Sequence, residues 1–287
     1  MTLNQRIQEF YDASSGLWEE IWGEHLHHGY YGINGRERKE RRQAQIDLVE
    51  ELLVWGQVRS PQDILDVGCG LGGSSLYLAQ KYSAKATGIT LSPVQANRAI
   101  ARAESYGLAE KTTFLVADAL EMPFADHSFD LVWSLESAEH FPDKQKFLQE
   151  AYRVLKPGGS LLLATWCHRP ITPATGNLSP QEQNHLEEIY RVYCLPPVIS
   201  VPEYRELAQS ANFQQIRTAD WSAEVAPFWD AVIASAFSGE AVLGLGKSLL
   251  RGNWQPIAGA LVLGLMRSGY QRSLIRYGLL CGTKLEN

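Results

Sequence analysis

Apolar positions change period along the chain, and the changes mark its elements. In residues 1–22, Ile7, Phe10, Tyr11, Leu17, Trp18, Ile21 and Trp22 recur at helical spacing. The stretch His25-Leu26-His27-His28-Gly29-Tyr30-Tyr31 breaks that pattern and reads as an aromatic-polar loop or a flap. Residues 35–55 open on mixed charges, Arg36 to Arg42, and continue as an apolar stripe of Ile46, Val49, Leu52 and Leu53. That is a helix with one solvated face. Between residues 60 and 167, short apolar runs alternate with helical stretches. Strands are expected at 64–67, 84–90, 113–116, 129–134 and 160–166. Ser92 and Pro93 open the helix after the second strand. Residues 144–155 form the last helix of the series, stopped by Lys156-Pro157-Gly158-Gly159. Such alternation predicts an α/β, doubly wound parallel sheet with right-handed crossovers.

The remainder is less regular. Residues 167–197 read as a polar insertion rich in Pro and Glu, 201–211 as a helix, and 213–221 as a strand. A final strand is expected at 277–283, paired with the one before it, with 222–272 as a helical insertion between them. Three segments follow: 1–58 as an N-terminal helical flap and first helix, 59–170 as the α/β core, and 171–287 as the other half.

Composition narrows the class. The chain has 287 residues, 45% of them hydrophobic, and a net charge of −6. An acidic surface argues against nucleic acid as the main partner, because phosphate neutralisation needs clustered Lys and Arg. The four cysteines, Cys69, Cys167, Cys194 and Cys281, include no C-x-x-C pair. They read as reduced thiols rather than a disulfide framework or a zinc site. His25, His27 and His28 lack the spacing and the acidic partner of a metal site, so no metal is expected. The first residues resemble neither a secretory signal nor a transit peptide, so the expected location is cytoplasmic. The longest apolar run, 257–266, is too short for a bilayer, which needs roughly 20 residues.

The chemistry concentrates after the first strand. Asp66 is followed by Gly68, Gly70, Gly72 and Gly73, and then by a helical stretch from Ser74. Gly68, Gly70 and Gly73 satisfy the dinucleotide fingerprint, so a nicotinamide cofactor is one reading and a plain strand-to-helix turn another. A dinucleotide would set its pyrophosphate on the helix N-terminus, where the Asp66 carboxylate would repel it. The same carboxylate suits a ligand carrying an ammonium and a sulfonium, and S-adenosylmethionine is such a ligand.

Longer stretches carry a resemblance. These are 18–23 with His27-His28-Gly29, 66–75, 88–95, 116–120 and 129–134. Glu139-His140, 165–169, 220–222 and 225–229 complete the set. Together the chain resembles the class I S-adenosylmethionine-dependent methyltransferases, and within them the γ-tocopherol C-methyltransferase group with its related plant N-methyltransferases. Plant members carry a chloroplast transit peptide, and a chain starting directly at the domain is similar to a cyanobacterial-type version. The resemblance implies a Rossmann-like sheet of seven strands with the last antiparallel. It implies that Asp66, Gly68 and Gly70 approach the methionine end of the cofactor, Thr90, Leu91 and Gln95 the ribose, and Asp118 and Ala119 the adenine. Ser134 would lie beneath the methyl donor, with Tyr11 and Tyr30 closing over the carboxylate. Thr90 stands where the wider class has an acid, as it does in this subgroup.

The implied reaction moves a methyl group to a ring carbon of a prenylated phenol, γ- or δ-tocopherol. No metal is needed, because a sulfonium methyl is already activated. A phenol has a pKa of about 10, so a positioned base should help. The candidates are His140 first, then His168, then Glu136, all in loops after the fourth and fifth strands. Trp221, Phe228 and Trp229 are the expected walls of the acceptor pocket. The apolar run 257–266 with Arg267, Arg272 and Arg276 suits either a prenyl tail or peripheral contact with a membrane surface. No obligate protein partner is indicated. Three other functions remain open: a methyltransferase acting on an amine or another lipophilic acceptor, a nicotinamide-dependent oxidoreductase, and a non-catalytic membrane-associated binding protein.

Overall fold

The computed structural model describes residues 1–236 and 255–286. Seven strands form one sheet in the order β3-β2-β1-β4-β5-β7-β6. They are β1 (Asp63–Val67), β2 (Lys85–Thr90), β3 (Thr112–Val116), β4 (Phe129–Leu135), β5 (Leu155–His168), β6 (Gln214–Asp220) and β7 (Ile275–Thr283). β1 to β5 pair in parallel, while β7 lies antiparallel between β5 and β6. The expected doubly wound, mostly parallel seven-stranded sheet is therefore the fold. Its strand order reverses between β1 and β4. There the loops after the two strands diverge and leave a crevice at their carboxyl ends.

Both faces of the sheet are covered, which is why its central strands are continuous apolar runs rather than alternating ones. Ile64, Trp133 and Leu162 point to one core, and Leu65, Val132 and Leu161 to the other. The first core is closed by α2 (Arg41–Trp55), α3 (Gly73–Tyr82), α6 (Pro180–Tyr193), α9 (Pro227–Ala236) and α10 (Gln255–Gln271). The second is closed by α5 (Lys144–Val154) and α7 (Val201–Ser210). Helix α4 (Pro93–Ser105) packs on β3 at one edge, and the short α8 (Ser222–Val225) packs near the other.

Two local expectations are corrected. Residues 167–197 are not a plain polar insertion, because they contain α6. Ser179 and Glu182 cap its start reciprocally, and Leu186, Ile189 and Tyr193 form a buried stripe. Nor does the helix stop at 156–159 precede the fifth strand. α5 passes directly into β5 at Leu155, and Gly158 at φ 80 lies within a register shift of the β4–β5 ladder. Within 222–272 the described part is helical. Phe237, Leu249, Leu250 and Trp254 lie outside the described residues, as do the side chains of Leu17, Trp18, Ile21, Trp22 and 257–262. Two of the three arginines after the apolar run are paired with carboxylates at the protein surface. Arg267 pairs with Asp230 at 2.6 Å and Arg276 with Asp220 at 3.3 Å. Among the described residues no helix is long and apolar enough to cross a membrane.

Candidate active site

The crevice at the switch point is built first by the turn after β1. Gly68 sits at φ 80, a left-handed conformation that side chains rarely adopt. A Cβ there would come within 2.2 Å of Ser137 Cβ in the loop after β4. Gly70, at φ 52, has only Gln95 Nε2 near its missing Cβ, at 3.9 Å, so its backbone stays open to the crevice. Gly68→Ala is expected to destabilise the fold by about 1–3 kcal/mol, through strain and overpacking. Thermal melting of the two proteins checks this, and an unchanged midpoint would contradict it.

Asp66 lies at the floor, 2% exposed, where its Oδ2 accepts from the Ser75 hydroxyl at 2.6 Å. Burial pushes its carboxyl up to about 7, against the pull of the Ser75 hydroxyl and backbone N–H. Further along the rim, the Thr90 hydroxyl donates to Gln95 Oε1 at 2.8 Å. Asp118 accepts from Leu120 N at 2.9 Å and from Asn4 Nδ2 at 2.7 Å. Leu91, Ala119 and Ser137 complete this side.

Asn4 belongs to α1 (Leu3–Trp22), which lies across the strand ends. Three of its residues tie it to three different loops. Asn4 reaches Asp118 after β3, Asp12 accepts from the Ser92 hydroxyl after β2 at 2.5 Å, and the Tyr11 hydroxyl is 2.7 Å from His140 Nε2 after β4. The N-terminal segment is thus a cover over the crevice. His140 is half-buried, and desolvation together with nearby Lys144 pushes its imidazole down to about 3.

Beyond His140 the crevice continues into an aromatic compartment walled by Trp166, Tyr193, Phe228 and Trp229, with His27 and His28. Glu136 stands at its back. Its carboxylate accepts from His28 N at 2.7 Å, His28 Nδ1 at 2.8 Å, Tyr277 Oη at 2.9 Å and Trp166 Nε1 at 3.1 Å. These donors hold it below the ordinary glutamate range despite burial. Glu139, beside it, is pushed up to about 8 by burial and by Glu136, while accepting from the Thr165 hydroxyl at 2.8 Å.

Most of the residues expected at the site therefore line one crevice: Tyr11, Asp66, Gly68, Gly70, Thr90, Leu91, Gln95, Asp118, Ala119, Glu136, His140, Phe228 and Trp229. Four do not. Tyr30 and Trp221 pack against each other at a tilt, ring centroids 5.2 Å apart, in a separate cluster with Trp55. Ser134 is shielded by Ser137, whose hydroxyl it meets at 2.7 Å. His168 turns its Nδ1 to the Arg169 carbonyl at 2.7 Å and its Nε2 towards Glu203 of α7, 3.7 Å away. His28, Trp166, Tyr193 and Glu139 were absent from the expected site. The motifs His27-His28-Gly29, Glu139-His140 and 165–169 were the available signal for three of them.

A buried carboxylate held, among the described residues, by the hydroxyl and backbone N–H of Ser75, beside an open glycine backbone, fits a cationic ligand. Comparison with known proteins agrees. A family model described as "Methyltransferase domain" matches residues 65–163. The chain is 48% identical over 290 residues to the "Probable tocopherol O-methyltransferase, chloroplastic" of Oryza sativa subsp. japonica, covering 99% of this chain and 79% of that one. It is 46% identical over 287 residues to the "Tocopherol O-methyltransferase, chloroplastic" of Arabidopsis thaliana, covering 97% and 81%. In fold it is similar to geranyl diphosphate C-methyltransferase from Streptomyces coelicolor A3(2), with a TM-score of 0.78 at 19% identity over 99% of this chain and 98% of that one. That protein was crystallised with Mg2+, geranyl diphosphate and S-adenosyl-L-homocysteine. With relatives this similar over nearly its full length, the chain is an S-adenosylmethionine-dependent enzyme and belongs to the class I methyltransferases, in the tocopherol methyltransferase group.

Proposed function

We propose that the enzyme methylates a ring carbon of a prenylated phenol, γ- or δ-tocopherol. The observation that carries this reading is the continuity of the crevice. A polar end at the loops after β1, β2 and β3 opens without a wall into a compartment lined by Trp166, Tyr193, Phe228 and Trp229. Flat aromatic walls suit a chromanol ring. The names of the plant relatives support the same acceptor class.

When bound, S-adenosylmethionine supplies a methyl group already activated by its positive sulfur. The chain's own residues then have three tasks. Asp66 and the Gly68–Gly70 backbone receive the methionine end, Thr90, Leu91 and Gln95 the ribose, and Asp118 and Ala119 the adenine. The α1 cover, held through Tyr11 and His140, keeps water from the reacting centre and the acceptor in line. A base must also take the phenolic proton, which makes the ring carbon beside the hydroxyl nucleophilic.

Incubation with labelled S-adenosylmethionine and a panel of γ-tocopherol, δ-tocopherol and an amine tests the reading. Label in an aryl methyl carbon of the tocopherols, seen by NMR, is the expected result. Label only in a methoxyl group or only on the amine would overturn it. His140→Ala, which removes one of the three ties of the cover, is expected to lower turnover by about tenfold or more while changing acceptor KM less. Initial-rate kinetics decide this, and a raised KM with turnover unchanged would assign the pair to uniform binding.

A further inference from the structure

The sequence places His28 in a loop or flap, yet its imidazole is packed into the aromatic wall of the acceptor compartment. The side chain is 1% exposed and lines the crevice. Five aromatic rings surround it: Phe228 and Trp229 with centroids at 5.0 Å, Tyr277 at 5.4 Å, Tyr270 at 5.7 Å and Trp166 at 5.9 Å. Its Nδ1 lies 2.8 Å from Glu136 Oε2. An ionised carboxylate only accepts, so Nδ1 carries the proton, and in the neutral ring Nε2, on the far edge, is a bare lone pair. That atom is buried and has no hydrogen-bond partner among the described residues. Trp229 Nε1, an obligate donor on a ring that also lines the crevice, is buried and unpartnered as well. An acceptor and a donor left bare on adjacent rings are complementary to one hydroxyl oxygen, which donates to the first and accepts from the second.

We propose that His28, held in its tautomer by Glu136, is the general base that takes the phenolic proton of the acceptor, while Trp229 Nε1 holds the oxygen. This rests on the prenylated-phenol reading above. The O–H bond breaks and an N–H bond forms at His28 Nε2, and the oxygen's electron pair is delocalised to the ring carbon beside it. That carbon bonds to the methyl as sulfur keeps the pair of the breaking S–C bond. The ring hydrogen then leaves as a proton, passed to bulk water when the α1 cover opens, and Nε2 returns its own proton to the oxygen, so one proton is released per turnover.

His28 suits the task better than His140. A base must become a cation, and only His28 has a carboxylate against its other nitrogen. The described titratable groups facing it are Glu136 after β4, its chain neighbour His27, Tyr270 of α10 and Tyr277 of β7, with Glu139 acting on both tyrosines. Glu136 is thus a positioning residue and His28 the catalytic one.

The test uses the full-length enzyme with S-adenosylhomocysteine bound and a chromanol whose phenol is acidified by ring fluorine. In the wild type, the bound chromanol is expected to show phenolate absorbance at a pH below its solution pKa. His28→Gln should bind it neutral, lose about a hundredfold or more in turnover on γ-tocopherol, and lose less on the fluorinated acceptor. A His28→Gln variant that ionises the chromanol like wild type, or loses equal turnover on both acceptors, overturns the assignment. If His28→Gln does not fold, nitrogen-15 NMR of wild-type histidines decides, because His28 Nε2 must gain a proton when the chromanol binds. A bare Nε2 in that complex also overturns the proposal. A wild-type enzyme that labels only the amine removes the phenol reading and this base together, whereas one that labels tocopherol while His28 stays unprotonated removes the base alone.

Discussion

Glu136→Leu is expected to remove about 3–5 kcal/mol of stability, which for a chain of this size lowers the melting midpoint on the order of 10 °C. The cause is the number of groups that depend on one carboxylate. Its four donors come from three separate places: both nitrogens of His28 that face it, Trp166 on β5 and Tyr277 on β7. The His28 and Glu136 side chains are 1% and 6% exposed, so water does not replace the lost acceptor. Each abandoned donor costs its desolvation, roughly 1–3 kcal/mol, and the leucine gains only part of that back by burial. Glu136→Gln should lie between, since an amide offers one acceptor oxygen and presents N–H to N–H at the other side. The pH dependence has a definite sign. Burial alone would raise Glu136, yet His28 and the other donors hold it below its ordinary value of 4.5. The stability it confers is complete above that value and is lost as pH falls through the lower, folded one. Urea titrations of the wild type and both variants measure this. A loss under about 1 kcal/mol for Glu136→Leu would mean that the donors find other partners.

The same constellation shows where sequence reading ends. The glycine turn after β1 was legible because a left-handed backbone and a close approach both demand glycine, and that demand leaves a mark at fixed positions. The β/α alternation was legible because central strands buried on both faces are uninterrupted apolar runs. Helix α6 was not, because its Pro and Glu content outweighed the Ser179–Glu182 cap and a stripe of only three apolar residues. Strand ends located His140 and Glu136 in the right loop but could not say which residues of a loop face the crevice. Ser137 rather than Ser134 reaches it, and His168 turns towards α7. Tyr30 and Trp221 belong to a neighbouring aromatic cluster that the same composition describes equally well. His28 had no readable role, because its meaning depends on Glu136, 108 positions away. Periodicity reports which face of an element is buried, and only the fold reports which two faces meet.

Asp66→Asn is expected to weaken S-adenosylmethionine binding tenfold or more, about 1.4 kcal/mol, and to change how affinity depends on pH. In the free protein, burial raises the Asp66 carboxyl from its ordinary 3.8 to about 7. By itself that shift costs stability as pH rises from 3.8 to about 7, because the folded state holds a proton that the unfolded chain has released. A bound cation reverses the preference, since ammonium and sulfonium both favour the ionised carboxylate. Binding must therefore expel the proton wherever Asp66 still carries it. Affinity is full above about pH 7 and falls as pH drops through that value, by up to tenfold per unit. Calorimetric titration at about pH 6 and about pH 8, each in two buffers of different ionisation enthalpy, reads both the affinity and the proton released. The wild type should release close to one proton at the lower pH and little at the higher. The Asn variant, with nothing to titrate there, should release none at either pH and show a flat affinity. Proton release that persists unchanged in Asp66→Asn would move the coupling to another group, for which Glu139, pushed up to about 8 in the same crevice, is the alternative.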